Sequence, residues 1–247
     1  MFQPCVLIPV YNHEHAIGAV LADVLVQNIH CILVDDGCDA SCAAVLQALA
    51  KAHSTQVSLV VHAINQGKGA AVLTGMREAA RLGFTHAIQI DADGQHKVTD
   101  LPIFLELGRQ QPDALIIGQP IYDESVPKSR LYSRYLTHIW VWINTLSFEI
   151  RDSMCGFRIY PIAPVLTLAD NTKLGSRMAF DTEVLVRLHW AGIRMINQPT
   201  PVRYPIDGVS HFQLWRDNVQ ISGMHATLFF GMLLRLPALC WRKVTGR

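Results

Sequence analysis

The sequence predicts an α/β protein built on a doubly wound, mostly parallel sheet. Three observations carry that expectation. Short apolar runs of strand length alternate with stretches of helical period, the alternation repeats four times in the first half, and polar residues gather just past the apolar runs. The strand-sized runs are residues 5–10, 31–34, 57–62, 86–90 and 114–118. Between them, residues 16–27, 42–52, 69–82 and 99–109 carry helical periodicity, the last two opened by Gly67 to Gly69 and by Thr99 and Asp100.

The second half is less regular. It offers a Pro/Asp/Ser-rich loop over 120–129, an aromatic helix over 132–148, a helix over 180–191, a short strand near Met195 and a loop over 205–211. Residues 221–234 are nearly all apolar and are followed by Arg235, Arg242, Lys243 and Arg247. An amphipathic helix there either lies in a membrane interface with its cations at the headgroups, or docks on the core or on a second subunit as a homodimer. The division expected is a main domain over 1–220 and a terminal helix over 221–247. The aromatic group Tyr132, Tyr135, Trp140, Trp142 and Phe148 suits core packing or a lipid-lined channel.

Composition narrows the function. Half of the residues are hydrophobic and 17% are charged, which excludes global disorder. Lys and Arg number 21 against 20 Asp and Glu, a net charge of +1, so no basic field marks a nucleic-acid partner. The six cysteines form no CxxC pair and read as reduced thiols of a cytoplasmic protein. The first ten residues lack a basic segment and meet Pro9 before an apolar core forms, so no secretion signal is expected there.

In a doubly wound sheet, ligands bind beyond the carboxyl ends of the strands, where this chain carries Tyr11 and Asn12, Asp35 and Asp36, Asn65 and Lys68, Asp91 and Asp93. Asp91-Ala92-Asp93-Gly94-Gln95 places two carboxylates and a carboxamide on one turn after an apolar strand. These are hard oxygen donors of the kind Mg²⁺ or Mn²⁺ prefers, and the bland alternative is a solvated turn. Asp35 and Asp36 are placed to read a base edge or a ribose diol, or to cap the helix that follows. Asn65-Gln66-Gly67-Lys68-Gly69 has the chemistry of a phosphate cradle without the spacing of a P-loop or of a dinucleotide fold. His13 and His15 flank Glu14 without forming a zinc motif.

Taken in order, Pro9-Val10-Tyr11-Asn12, Asp35-Asp36-Gly37, Asn65-Gln66-Gly67-Lys68-Gly69-Ala70-Ala71 and Asp91-Ala92-Asp93-Gly94-Gln95 resemble the family 2 glycosyltransferases of GT-A fold. The likeness is greatest to the polyprenyl-phosphate and dolichyl-phosphate mannose and glucose synthases. It continues through Asp152-Ser153-Met154-Cys155-Gly156-Phe157-Arg158 and Phe180-Asp181-Thr182-Glu183, and covers roughly residues 4–211.

The resemblance implies a GT-A-type α/β fold and an inverting transfer of a hexose from a UDP- or GDP-sugar to a lipid-linked acceptor, at the inner face of the cell membrane. It implies that Pro9, Tyr11, Asn12, Asp35, Asp36, Asn65, Lys68, Asp91, Ala92 and Asp93 hold the nucleotide sugar, with Mg²⁺ or Mn²⁺ on Asp91, Asp93 and Gln95. Asp152, Asp181, Glu183 and Arg158 are the implied catalytic set; a phosphate acceptor needs no general base, whereas a hydroxyl acceptor would draw one from the three carboxylates.

The chain also departs from the family. His13 follows the Pro-x-Tyr-Asn motif in place of a Glu, and Cys38 stands where a Ser follows Asp-Asp-Gly. The expected Arg-x-x-Gly-x-Ser-Lys/Arg loop reads Pro205-Ile206-Asp207-Gly208-Val209-Ser210-His211. Acceptor contacts are therefore assigned to Ser210 and His211 together with Arg130, Arg134 and Arg203. Two rival functions are a sugar-phosphate nucleotidyltransferase, whose Gly- and Arg-rich loop is missing from residues 9–16, and a catalytically silent nucleotide-binding protein.

Overall fold

The computed structural model describes residues 1–122, 126, 128–202 and 214–245. Its centre is a seven-stranded sheet of order β3-β2-β1-β4-β6-β5-β7. The first half follows the expected alternation: β1 (Pro4–Val10), α1 (Ile17–Leu25), β2 (Cys31–Asp35), α2 (Ala40–Ala52), β3 (Val57–Val61), α3 (Lys68–Arg81), β4 (His86–Gln89), α4 (Leu101–Gln110) and β5 (Leu115–Tyr122). β1 pairs in parallel with both β2 and β4, so the strand order reverses between β1 and β4. That reversal opens a crevice beyond the carboxyl ends of the strands, where the polar strand ends converge.

The second half contains α5 (Lys128–Thr145), β6 (Arg158–Pro161), α6 (Ile162–Asn171), α7 (Phe180–Trp190), β7 (Met195–Val202) and α8 (Leu214–Thr245). Besides α6, which the sequence expectation did not include, two elements differ from it. β6 is only four residues long, runs antiparallel to β4 and β5, and passes directly into α6. So short a run, ending in a proline, gives no periodicity from which a strand is read. Its antiparallel direction matters, because the start of β6 lies beside the end of β4: Arg158 pairs with Gln89.

The second difference is at Pro120, which belongs to β5 rather than to a loop and pairs with Thr200 of β7. β6 covers β5 only at Ile116 and Ile117, so at Pro120 no ladder partner on that side calls for an N–H. Pro199 and Pro201 lie on β7, the edge strand.

Helices cover both faces. Ile17, Val20, Leu21, Val24, Leu46, Phe104 and Phe157 form the core on one face, with α1, α2 and α4. Val72, Met76, Val141, Val165, Phe180, Leu185, Met224 and Leu228 form it on the other, with α3, α5, α6, α7 and α8. The boundary expected at 220/221 falls inside α8, whose Met224 and Leu228 are buried in this second core.

Candidate active site

At the end of β1, Asn12 adopts a left-handed φ of 52° and receives the Asp39 amide on its Oδ1 at 2.9 Å. Its own amide donates to Cys38 Sγ at 3.3 Å, while the Cys38 thiol donates to the Val10 carbonyl at 3.4 Å and the Cys38 amide to Asp35 Oδ1 at 2.8 Å. The cysteine in the usual serine position thus still ties the β1 end to the β2 end. Burial pushes the Cys38 thiol well above its ordinary range, so it acts as a neutral thiol.

Asp36 is fully engaged within the chain. Its Oδ1 faces His62 Nδ1 at 2.8 Å and accepts the Gln66 amide at 2.9 Å, and its Oδ2 accepts Asn65 Nδ2 at 2.9 Å and the Gly67 amide at 2.8 Å. Asp36 thereby fixes the 65–67 loop against the end of β2.

The glycine-rich loop is likewise not an open phosphate cradle. Gly67 has φ +99°, and a Cβ there would meet the Ser176 carbonyl and Arg177; a Cβ on Gly69 would meet Phe180 and the Gly175 carbonyl. The Ala70 amide donates to the Ser176 carbonyl at 3.0 Å. The glycines therefore admit residues 175–177 against the start of α3. Glu183 holds that segment by accepting the Gly175 amide at 2.8 Å, and Arg187 pairs with its other oxygen at 2.7 Å.

Lys68 turns inward from the same loop. Its Nζ lies 2.7 Å from Asp91 Oδ1 and 2.8 Å from Asp181 Oδ2, and Gln89 Nε2 donates to Asp181 Oδ1 at 3.2 Å. Burial opposes the Lys68 charge, but the two carboxylates outweigh it and raise its pKa further. Asp91 is pulled well below the usual carboxylate range, Lys68 and His96 overcoming the cost of its burial.

His96, which sequence reasoning passed over, stands with Nε2 3.4 Å from Asp91 Oδ2. Burial disfavours its charged form, yet the adjacent Cys155 sulfur and Asp91 raise its pKa to about 10. Gly156 closes the site from the β6 side, for a Cβ there would overlap the Asp91 carboxylate.

The β4 turn presents oxygen donors only. The Gln95 amide donates to Asp93 Oδ1 at 3.0 Å, folding the turn, and Ala92 is buried while Asp93 and Gln95 are half-exposed. Two carboxylates and a carboxamide suit a hard divalent ion that takes its other ligands from water or diphosphate. Among the described residues no group of three His, Cys, Asp or Glu side chains is arranged to hold a metal ion, so such an ion would rest partly on Gln95 and on its ligand.

The remaining expected catalytic residues are all tied down. Arg158, fully buried, donates to Tyr160 Oη at 2.8 Å, to the Asp181 carbonyl at 2.7 Å and to the Ser153 carbonyl at 2.8 Å. These contacts tie α7 to the 152–158 segment. Asp152 receives Arg134 on both oxygens at 2.7 and 2.8 Å, and the Cys155 amide at 2.7 Å. Despite burial, Arg134 and His138 hold the Asp152 carboxyl well below its ordinary range. Arg134, expected at the acceptor, ties α5 to the 152–155 turn. Arg203, Ser210 and His211 lie outside the described residues, as does the side chain of Arg130.

This geometry agrees with what known proteins report. The profile of Glycosyl transferase family 2 matches residues 5–168, about two thirds of the chain. The chain belongs to glycosyl transferase family 2. It is 26% identical to an uncharacterized protein of Methanocaldococcus jannaschii, over 83% of this chain and 90% of the other. It is 28% identical to the polyprenol monophosphomannose synthase of Mycolicibacterium smegmatis, over 63% of this chain, and 28% identical to the dolichyl-phosphate beta-glucosyltransferase of Drosophila melanogaster, over 73%. It spans 60% of the length of each of these two enzymes.

Among solved structures, it is similar to glucosyl-3-phosphoglycerate synthase from Mycobacterium tuberculosis, with TM-score 0.63 and 16% identity over 92% of this chain and 80% of that one. It is also similar to a mannosyltransferase from Pyrobaculum calidifontis bound to GDP-Man and Mn²⁺, with TM-score 0.58 and 14% identity over 96% and 73%. The expected GT-A-type fold is therefore the observed one. Family membership also removes the nucleotidyltransferase rival.

Proposed function

We propose that this glycosyltransferase moves a hexose from a UDP- or GDP-sugar to the phosphate of a lipid-linked acceptor, with inversion, at the inner face of the cell membrane. One observation carries the choice of acceptor. Asp152, Asp181 and Glu183, the carboxylates available to deprotonate a hydroxyl, are each ion-paired, with Arg134, Lys68 and Arg187. Both oxygens of each carboxylate are already engaged within the chain, so none is presented to a hydroxyl proton, whereas a phosphate monoester arrives as an anion and needs no base. The names of the polyprenol-phosphate and dolichyl-phosphate relatives support the same acceptor class.

In this reading the crevice between the β1 and β4 ends takes the nucleotide, with Tyr11, Asn12 and Asp35 toward the nucleoside. Asp36, Glu183 and Arg158 act as positioning residues: they fix the 65–67 loop, the 175–177 segment and the start of α7. Asp91, Asp93 and Gln95 are the residues that would hold Mg²⁺ or Mn²⁺, and a bound ion would supply neutralisation of the charge on the departing diphosphate. A phosphate oxygen of the acceptor attacks the anomeric carbon from the face opposite the leaving group, the bond to the nucleoside diphosphate breaks, and the configuration inverts.

The acceptor's lipid suits the apolar face of α5 and α8. α5 and α8 pack together and leave Tyr135, Leu136, Ile139, Phe230, Leu234 and Trp241 exposed. The span Trp215–Thr245 is long and apolar enough to cross a bilayer by length and composition, with 28% of its most apolar window buried. We read it as lying against the membrane together with α5. Part of the basic cluster is used within the protein, since Arg242 donates to the His189 and Trp190 carbonyls and Arg235 lies over the Trp190 ring.

The test offers UDP- and GDP-sugars with Mn²⁺ to matched polyprenyl phosphate and polyprenol, and follows the labelled lipid. Transfer to the phosphate alone, with the product's anomeric configuration opposite to the donor's, is the expected result. Equal transfer to polyprenol would refute the acceptor reading, and nucleotide-sugar turnover absent under every condition would favour a silent binding protein.

A further inference from the structure

The position of Lys68 goes beyond phosphate binding, the role its loop suggests. Its ammonium bridges two carboxylates that come from opposite sides of the site: Asp91 from the β4 turn and Asp181 from α7, at 2.7 and 2.8 Å. The two are not equally dependent on it. Asp181 is the more buried and has other support, with Gln89 Nε2 at 3.2 Å and Arg158 Nη1 at 3.7 Å from its Oδ1. Asp91 has, besides Lys68, His96 Nε2 at 3.4 Å from its Oδ2; it is the more open, its side chain 22% exposed against 8% for Asp181, and it begins the oxygen-donor turn that continues through Asp93 and Gln95.

We infer that Lys68 is a built-in competitor for the divalent ion. Without the ion, its ammonium neutralises Asp91 and keeps the two carboxylates from repelling each other. When an ion engages Asp91, Lys68 is released toward Asp181, where a carboxylate already fixed by Gln89 and Arg158 receives it. Metal binding at the β4 turn is thereby linked to the ion pair that fastens the start of α7. The inference rests on the reading that Asp91, Asp93 and Gln95 hold the ion.

The experiment titrates Mn²⁺ alone into the full chain and follows free Mn²⁺ by electron paramagnetic resonance, with melting curves to verify folding. A charge within ~4–6 Å changes a carboxylate's affinity for a proton by roughly ten- to a thousandfold, and a comparable sign and scale applies to another cation. Lys68→Met should therefore tighten Mn²⁺ binding by at least about tenfold, and Lys68→Arg, which keeps the charge, should bind much as the wild type does. Asp181→Asn should weaken binding, because Lys68 then concentrates on Asp91. That weakening should be clearly smaller in the Lys68→Met background, and it gives a second reading if Lys68→Met alone folds poorly.

Unchanged or weaker binding in Lys68→Met, or an Asp181→Asn effect equal in both backgrounds, would overturn the competitor role while leaving the metal site standing. Mn²⁺ binding to none of the variants would overturn the metal reading itself and this inference with it.

Discussion

At the scale of single residues, the site is organised by what each carboxylate is allowed to touch. Asp36, Asp152 and Glu183 spend their oxygens on the chain's own amides and cations, while Asp93, among the described residues, accepts the Gln95 amide alone and remains half-exposed. Gly156 matters for space rather than for torsional freedom, since any side chain there displaces the Asp91 carboxylate. These facts separate two substitutions. Asp93→Ala should abolish transfer with stability changed by no more than about 0.5 kcal/mol, as at other half-exposed polar positions. Gly156→Ala should abolish transfer and also destabilise the fold by roughly 1–3 kcal/mol, the range for an overpacked interior. Activity assays beside denaturant melts measure both, and an active Gly156→Ala protein would show that Asp91 has room to move.

At the scale of elements, β6 and the α5–α8 pair decide most. β6 delivers Gly156 and Arg158 to the end of β4 because it runs antiparallel to it. α5 and α8 meet around buried polar groups: His225 is only 6% exposed, and its Nδ1 faces Asn144 Nδ2 at 3.4 Å. Burial pushes the His225 imidazole down to about 4. The unfolded chain, with an ordinary histidine pKa of ~6.5, takes up this proton first, so acid favours unfolding. The contribution is fully present above pH ~6.5 and is lost as the pH falls toward 4, with a slope of up to about 1.4 kcal/mol per pH unit. Burial lowers His30, His86 and His189 as well, so the wild type should lose stability steeply over this window. His225→Leu should be less stable at pH 7, where Asn144 loses a partner, yet show a shallower slope from pH 6.5 to 4; a parallel profile would remove His225 from the account.

For the whole molecule, the question is what covers the exposed apolar side of α5 and α8. Deleting α8 does not answer it cleanly, because Met224, Leu228, Met232 and Leu239 are buried and their removal would open the core. Outward residues answer it better. Phe230 is 65% exposed and Leu234 83%, so Phe230→Glu with Leu234→Glu should leave the melting temperature nearly unchanged. The same double substitution should strongly reduce flotation with anionic vesicles, since charged groups are costly in the acyl region while the helix keeps its inner face. Leu228→Glu, by contrast, should unfold the protein. A wild-type chain that fails to float at low salt would turn the same face into a subunit contact, which analytical ultracentrifugation would report as a dimer.

The alternation of apolar runs and helical stretches determined the parallel first half of the sheet, because each strand end carries a local signature: Tyr11 and Asn12, Asp35 and Asp36, Asn65 to Gly69, and Asp91 to Gln95. Composition also pointed to an apolar helix from residue 221, whereas its start at Leu214 and its full length of 32 residues came from the structure. Local pattern does not encode who meets whom across the 18 residues between Arg134 and Asp152 or the 113 between Lys68 and Asp181. The four-residue β6 has no period of its own, and its strandhood follows from pairing with β4 and β5. That Arg134 meets Asp152, and that Lys68 meets both Asp91 and Asp181, emerges only once α5 and α7 are in place. The two glycines of the α3 loop suggest a phosphate cradle until residues 175–177 occupy the space they leave. Tertiary structure decided these points because a buried charge must find its partner wherever the fold supplies one, and that partner is distant in sequence.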